Sequence, residues 1–286
     1  MTRVVYLNGL FLPAAEARVS VFDRGFLYGD SVFETLRAYH GRVFAANEHF
    51  QRLARSAAAV GINLPFDGAG CAHILDGCLG ENRLTDAILR LCVSRGQGVV
   101  PNPQGSGPPT VVAFTRPPPD PCLWETGIGA IVSTVRATPP EVLDPGIKSG
   151  NFLSHTLAIA EAGARGADEA ILLNDRGQVA EGAVSNLFGV WDGILKTPPE
   201  DAHILPGITR GLVLELAREN GLKVSEAPLS VDDLARAEEL FVSNAGWEVM
   251  PVTALAGKPV AEGRPGPLTQ AILSAYRARV HSVCGP

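Results

Sequence analysis

The feature that most constrains this chain is a proline run, PPPDPC at 117–122. Proline fixes its own φ and pushes the residue before it out of the helical region, so no helix or central strand crosses such a run. The chain of 286 residues is long enough for two ordinary domains. The run therefore predicts a smaller N-terminal domain over 1–117, a linker over 118–126 and a larger domain over 127–286.

Both sides of the run carry hairpin patterns. Asn8-Gly9, His40-Gly41 and Asp192-Gly193 each separate two strand-like runs, and DEAILLND and QVAEG flank a fourth turn. Helical patterns lie between them: NEHFQRLARSAAAVGI with Asn47 as N-cap, AHILDGCLGENRL, 151–164, 207–220, 230–237 and 267–280. Strand runs mixed with helices, without regular alternation, predict an α+β fold of two domains.

Composition narrows the function. A formal net charge of -6 with no basic run argues against nucleic-acid or anionic-membrane partners. No apolar stretch approaches the roughly 20 residues of a membrane helix, and MTRVVYLNGLFLP is broken too early to act as a signal peptide. The five cysteines are scattered and form no C-x-x-C pair, which predicts free thiols in a reducing, cytoplasmic setting and no metal site. Neither GxGxxG nor a P-loop occurs.

Lysine is scarce: Lys148, Lys196, Lys223 and Lys258 complete the set. Three of these sit at strand ends, helix stops or turns, where a lysine is solvated. Lys148 lies in PGIKSGNFLSHTLA, between glycines that permit close backbone approach and before an apolar helix. A partly desolvated lysine has a lowered pKa and supplies the neutral amine that attacks a carbonyl.

Six segments in order carry a resemblance over almost the whole chain: VFDRGFLYGDSVFETLR, EHFQRL, GIKSGNFL, DEAILLNDRGQVAEGAVSNLF, ILPGITRG and ELFVSN, followed by MPV. Together they resemble the class IV, or fold-type IV, pyridoxal-phosphate enzymes. That group includes branched-chain and D-amino-acid aminotransferases, R-selective amine transaminases and aminodeoxychorismate lyases. The resemblance implies a small N-terminal α/β domain and a larger, β-barrel-like C-terminal domain with helices, with pyridoxal 5'-phosphate as cofactor.

It also implies roles for single residues. Lys148 matches the Schiff-base lysine and Glu181 the carboxylate that keeps the pyridine nitrogen protonated, with Asn186 close by in the same motif. Arg52, Ile208, Thr209, Asn244 and Ala245 match the phosphate-binding positions, and Leu205 the apolar residue against the ring. Tyr28, Phe33, Thr35 and Arg37 match a substrate-lining segment. Arg90 matches a strand position used for a substrate-facing cation, and an arginine in an apolar strand is costly unless paired. Phe152 stands where many branched-chain enzymes have a tyrosine near the cofactor's phenolic oxygen. The loop VVPNPQ lacks the Arg-x-His pair of familiar D-amino-acid aminotransferases.

The implied reaction moves an amino group from an amino acid or primary amine to a 2-oxo acid such as 2-oxoglutarate or pyruvate. The alternative within the same group is pyruvate elimination from aminodeoxychorismate. The resemblance further implies a homodimer, with the loop at 101–109 as a mobile element that closes the neighbouring pocket.

Overall fold

The computed structural model describes residues 3–285 and divides the chain into two compact units. The first unit holds the chain up to Pro118, the short return Ile147–Phe152 and the end from Val280; the second holds Pro119–Gly146 and Leu153–Arg279. The six residues around Lys148 thus group with the N-terminal unit, although they follow the proline run.

The first unit is built from β1 (Val4–Leu7), β2 (Leu10–Pro13), α1 (Arg24–Tyr28), β3 (Ser31–Tyr39), β4 (Arg42–Val43), α2 (Ala46–Ala59), α3 (Gly68–Asn82), β5 (Ala87–Ser94) and β6 (Thr110–Arg116). Its strands form one antiparallel sheet in the order β2-β1-β6-β5-β3-β4. Asn8 and Gly9 both adopt positive φ (48° and 96°), as do His40 and Gly41 (51° and 78°), which gives the tight turns their sequences imply.

The period of two on β3 sorts its side chains. Val32, Leu36 and Ala38 join Leu89, Leu91 and Val93 of β5 in a core closed by Leu53 and Ala57 of α2 and Leu75 and Leu79 of α3. Phe33, Thr35 and Arg37 alternate to the other face.

One expectation fails here. Asn47 does not cap α2: the N-cap is Ala45, at φ 52°, with no side-chain hydrogen bond, and Asn47 lies inside the first turn. The chain leaves β4 through a left-handed residue, so the helix starts earlier than an asparagine cap would set.

The second unit contains α4 (Leu123–Thr126), β7 (Ile128–Arg136), α5 (Leu153–Ala164), β8 (Glu169–Leu173), β9 (Val179–Gly182), β10 (Asn186–Trp191), β11 (Ile194–Thr197), α6 (Ile208–Glu219), β12 (Lys223–Glu226), α7 (Val231–Leu234), β13 (Glu239–Asn244), β14 (Glu248–Leu255), β15 (Lys258–Pro259) and most of α8 (Pro267–Cys284). Its strands make a curled half-barrel in the order β12-β11-β10-β13-β14-β7-β8-β9, with β15 on β14. Parallel pairs (β11 with β12, β14 with β7, β7 with β8) mix with antiparallel ones. Phe188 and Phe241, opposite each other on β10 and β13, stack at 4.9 Å in the sheet's interior.

The helix expected over 230–237 contracts to the four residues of α7, held by a Ser230/Asp233 capping box. The linker prolines are followed at once by α4, whose Trp124 indole donates to the carbonyl of Trp247 (2.9 Å).

Candidate active site

In the first unit, residues 147–152 lie along the start of β3 as an extra edge. Phe33 N donates to Lys148 O (3.0 Å), Gly150 N to Ser31 O (2.7 Å), and Val32 bridges Ser149. Lys148 N donates to Ser56 Oγ of α2 (3.1 Å). The glycine at 150 is required by this approach, since a Cβ there would stand 2.1 Å from Ser31 Oγ. These bonds fix the lysine backbone, while its Nζ lies 4.6 Å from the centre of the Phe33 ring.

Phe33 is the hub of what surrounds that amine. The Phe152 ring meets it edge-on at 5.7 Å and 84°, and the Arg90 guanidinium carbon lies 3.3 Å from the ring centre. Arg90 sits opposite Thr35 in the β3–β5 register and donates Nη1 to its hydroxyl (3.2 Å). An arginine in an apolar strand is therefore accommodated by an aromatic face and one hydroxyl, with no carboxylate among these contacts. Arg37, two residues along the same face of β3, is buried with its guanidinium 4.8 Å over the Tyr39 ring.

Tyr28 stands outside this cluster in its bonding. Its hydroxyl donates to Val99 O (2.8 Å), which ties α1 to the loop after β5. That loop's base is anchored as well: Arg24 bonds Asp30 (2.8 Å) and donates to the carbonyls of Val100, Pro101 and Asn102.

Arg52 is held from beneath. Its Nε and Nη2 fork onto the two oxygens of Glu34 (2.7 and 2.8 Å), and His49 Nδ1 meets the same carboxylate at 2.7 Å. Glu34 is 1% exposed, and burial works against its charge. The Arg52 and His49 contacts nevertheless win and hold its carboxyl down at about 2. Burial also pushes His49 below its ordinary value against the pull of Glu34, so Nδ1 carries the proton that the ionised carboxylate accepts. The plane of the Arg52 guanidinium is thereby set. Sequence reasoning does not reach this Glu34–His49 platform; its only signal is an acid inside the apolar run VFETL.

In the second unit, Glu181 lies near the end of β9 at 8% exposure. Its Oε2 accepts from Asn186 Nδ2 (3.0 Å) and Leu205 N (3.1 Å), and the same Asn186 amide donates to Leu205 O (2.9 Å). Glu181, Asn186 and Leu205 thus form one bonded group. Just beyond Leu205, α6 opens with Gly207 as N-cap and no side-chain cap, followed by Ile208 and the buried Thr209. Gly207 is needed there, because a Cβ would fall 2.0 Å from Asn186 Oδ1. Asn244 closes β13: its Oδ1 accepts from Gly246 N and Trp247 N, which shapes the turn containing Ala245, and its Nδ2 donates to Val184 O (3.0 Å).

This donor set fits pyridoxal phosphate. A fixed, buried carboxylate suits a protonated pyridine nitrogen, and an uncapped helix start offers amides and dipole to a phosphate. A second buried acid, Glu169, lies under the turn that follows Glu181. It too lies beyond sequence reasoning, its only signal being an acid that leads the apolar strand EAILL.

The amino-transferase class IV profile matches residues 31–255. The chain is 43% identical over 274 residues to a protein of Methanocaldococcus jannaschii provisionally named a branched-chain-amino-acid aminotransferase, covering 96% of this chain and 95% of that one. It is 37% identical to D-alanine aminotransferase of Bacillus licheniformis, covering 97% of each. The crystal structure of the branched-chain amino acid aminotransferase of Escherichia coli superposes with a TM-score of 0.92 at 34% identity, over 97% of this chain and 94% of that one. The chain therefore belongs to the class IV aminotransferase family, and it is a pyridoxal-phosphate-dependent enzyme that transfers amino groups.

Proposed function

We propose that this enzyme moves the amino group of an apolar amino acid of the branched-chain kind to a 2-oxo acid such as 2-oxoglutarate or pyruvate, with Lys148 as the Schiff-base lysine. The observation that carries the reading is the Phe33–Phe152 aromatic pair beside the Lys148 amine, with Arg90 against the same ring. An apolar side chain gains by covering aromatic carbon there, and a guanidinium within reach of Thr35 suits a carboxylate. The names of the M. jannaschii and E. coli proteins support a branched-chain donor. The missing Arg-x-His pair in VVPNPQ speaks against the D-alanine name of the B. licheniformis relative.

Pyridoxal phosphate, when bound, supplies the electron sink that makes the substrate's Cα proton acidic. Lys148 carries that proton from and back to carbon. Glu181, oriented by Asn186, would keep the ring nitrogen charged, and Leu205 would supply the apolar contact to the ring. Arg52 in the first unit and, in the second, the amides of Ile208 and Thr209, the Thr209 hydroxyl and the Asn244-Ala245 turn each match phosphate-binding positions of the family. Tyr28, Phe33, Thr35, Arg37 and Arg90 line the substrate side.

The working form is a homodimer in the cytoplasm. Support for the dimer comes from exposed apolar residues: Val21 and Phe22 just before α1, Phe26 on it, and Val99 and Val100 in the loop after β5; Phe26 alone is 74% exposed. Gly98 N bonds Phe22 O and Tyr28 bonds Val99 O, so they form one patch. Among the described residues no helix is long and apolar enough to cross a membrane, and the cysteines are free, which suits a reducing compartment.

The test is a donor screen. Single L- and D-amino acids and R-amines are incubated with 2-oxoglutarate, and keto-acid or ketone release is followed. Release from leucine, isoleucine or valine is expected. No transamination with any donor, together with pyruvate release from aminodeoxychorismate, would replace this reading with the lyase one.

A further inference from the structure

We infer that Glu169 is the positioning residue for the cofactor carboxylate: it clamps the 182–185 turn that carries Glu181 on one side and Asn186 on the other. The inference rests on Glu181 being the partner of the ring nitrogen.

Glu169 opens β8 and is 0% exposed. Its Oε2 accepts from Ser185 Oγ at 2.6 Å and from Val184 N at 3.4 Å; its Oε1 accepts from Ala170 N at 2.8 Å and Ala183 N at 3.1 Å. Three of the four donors belong to the turn. Ala183 N divides its hydrogen between Glu169 and Ala170 O (2.8 Å), so the carboxylate reinforces a β8 contact already present. The clamp also dictates Gly182, where a Cβ would stand 2.3 Å from Ser185 Oγ and 2.8 Å from Glu169 Oε2. In EGAVSN, then, Glu181 meets the cofactor, Gly182 leaves room, Ser185 grips Glu169 and Asn186 grips Glu181. The turn further supplies Val184 O to Asn244, so the phosphate-side loop is referenced to the same clamp.

All four donors to Glu169 are neutral, and four donors suit an acceptor with two charged oxygens better than a carboxylic acid or an amide. Burial pushes the carboxyl up to about 7 against the pull of Ser185 and the three amides. The clamp is therefore fully formed only above that pH. Of the titratable groups on the surrounding elements, Glu181 of β9 turns to Asn186 and Leu205 and Asp168 accepts from Gly129 N, while His155 of α5 meets the same turn at Ala183 O (2.7 Å), a contact that Glu169→Gln retains, so the ratio to wild type isolates Glu169. Among the described residues none supplies a cation to Glu169 by a hydrogen bond.

The experiment measures the affinity of the full chain for pyridoxal 5'-phosphate by its visible absorbance, alongside the melting temperature of the cofactor-free chain. Glu169→Gln is expected to bind about tenfold more weakly at about pH 8.5, the worth of one hydrogen bond to a charged acceptor. The ratio to wild type should shrink towards one at about pH 5.5, where wild type is itself protonated. Its melting temperature at the higher pH should not fall below wild type, because the variant removes a buried charge. Equal affinity at both pH values, or a pH-independent loss together with a lower melting temperature, would overturn the inference. Ser185→Ala keeps the charge but removes its shortest bond, and should weaken binding in the same direction; unchanged binding would count equally against the clamp. Glu181→Gln separates the two levels. If it retains transamination, the reading of Glu181 fails and that of Glu169 with it; if it loses transamination while Glu169→Gln binds normally, the inference alone falls.

Discussion

Two buried carboxylates, one in each unit, show how differently the same group behaves under nearly the same burial. Glu34 is 1% exposed and Glu169 0% exposed. Glu34 meets a guanidinium fork and an imidazole, and its carboxyl is held at about 2; Glu169 meets only a hydroxyl and backbone amides, and its carboxyl rises to about 7. Burial opposes the charge in both, so the partners decide. A formal positive charge outweighs desolvation at Glu34, whereas neutral dipoles leave Glu169 ready to titrate near neutrality. The first arrangement makes a rigid platform for Arg52, and the second makes a clamp whose strength depends on pH.

The harshest way to break the comparison is to remove the cation. Arg52→Met should leave Glu34 buried with the neutral His49 imidazole as its remaining side-chain partner and cost about 3–5 kcal/mol in denaturant unfolding at neutral pH. Adding Glu34→Gln to that variant should recover a large part of the loss. A loss below about 1 kcal/mol for Arg52→Met would mean that the fork does not govern Glu34.

Next in size is the pH dependence, where the two acids act with opposite signs. Glu34 has its folded pKa below the ordinary 4.5, so its stabilisation is complete above 4.5 and is lost as pH falls through about 2. Glu169 has its folded pKa above 4.5, so the folded chain binds the proton more tightly, and this contribution is present below 4.5 and lost as pH rises through about 7. His49, lowered by burial, works against Glu169 in part of that window, because protonating it as pH falls disfavours the folded chain. Glu169→Gln compared with wild type isolates the Glu169 contribution: the variant should gain in relative stability from about pH 5 to about pH 8. A constant difference across that range would contradict the assignment.

The smallest expected effect comes from an ion pair in water. Arg264 and Glu262 are 76% and 71% exposed in their side chains, and Arg264→Ala should leave the melting temperature unchanged within error. A clear drop would show that contact distance, and not burial with charge, sorts the ion pairs of this chain.

The legible parts of the molecule are those whose cause is local. Asn8-Gly9 and Asp192-Gly193 announce turns because positive φ is a property of those residues themselves, and both turns form. Asn47 misleads for the opposite reason: its cap chemistry is local, but the left-handed Ala45 that starts α2 reflects the geometry of the preceding hairpin. The contacts of Glu34 and Glu169 are not legible. Apart from the amide of Ala170 next to Glu169, their partners lie 14–18 residues away in sequence, across contacts that no local pattern encodes. Lys148 is legible as a candidate through its scarcity and its glycines, yet its grouping with the N-terminal unit emerges only in three dimensions.

The proposed chemistry stands or falls with Lys148 as the lysine that carries the cofactor. Its most direct test is borohydride reduction of the enzyme as isolated with pyridoxal phosphate, followed by peptide mass mapping of all four lysines. The phosphopyridoxyl group is expected on the peptide containing Lys148 and on no other; stable attachment at Lys196, Lys223 or Lys258 with Lys148 unmodified would show that a different lysine carries the cofactor.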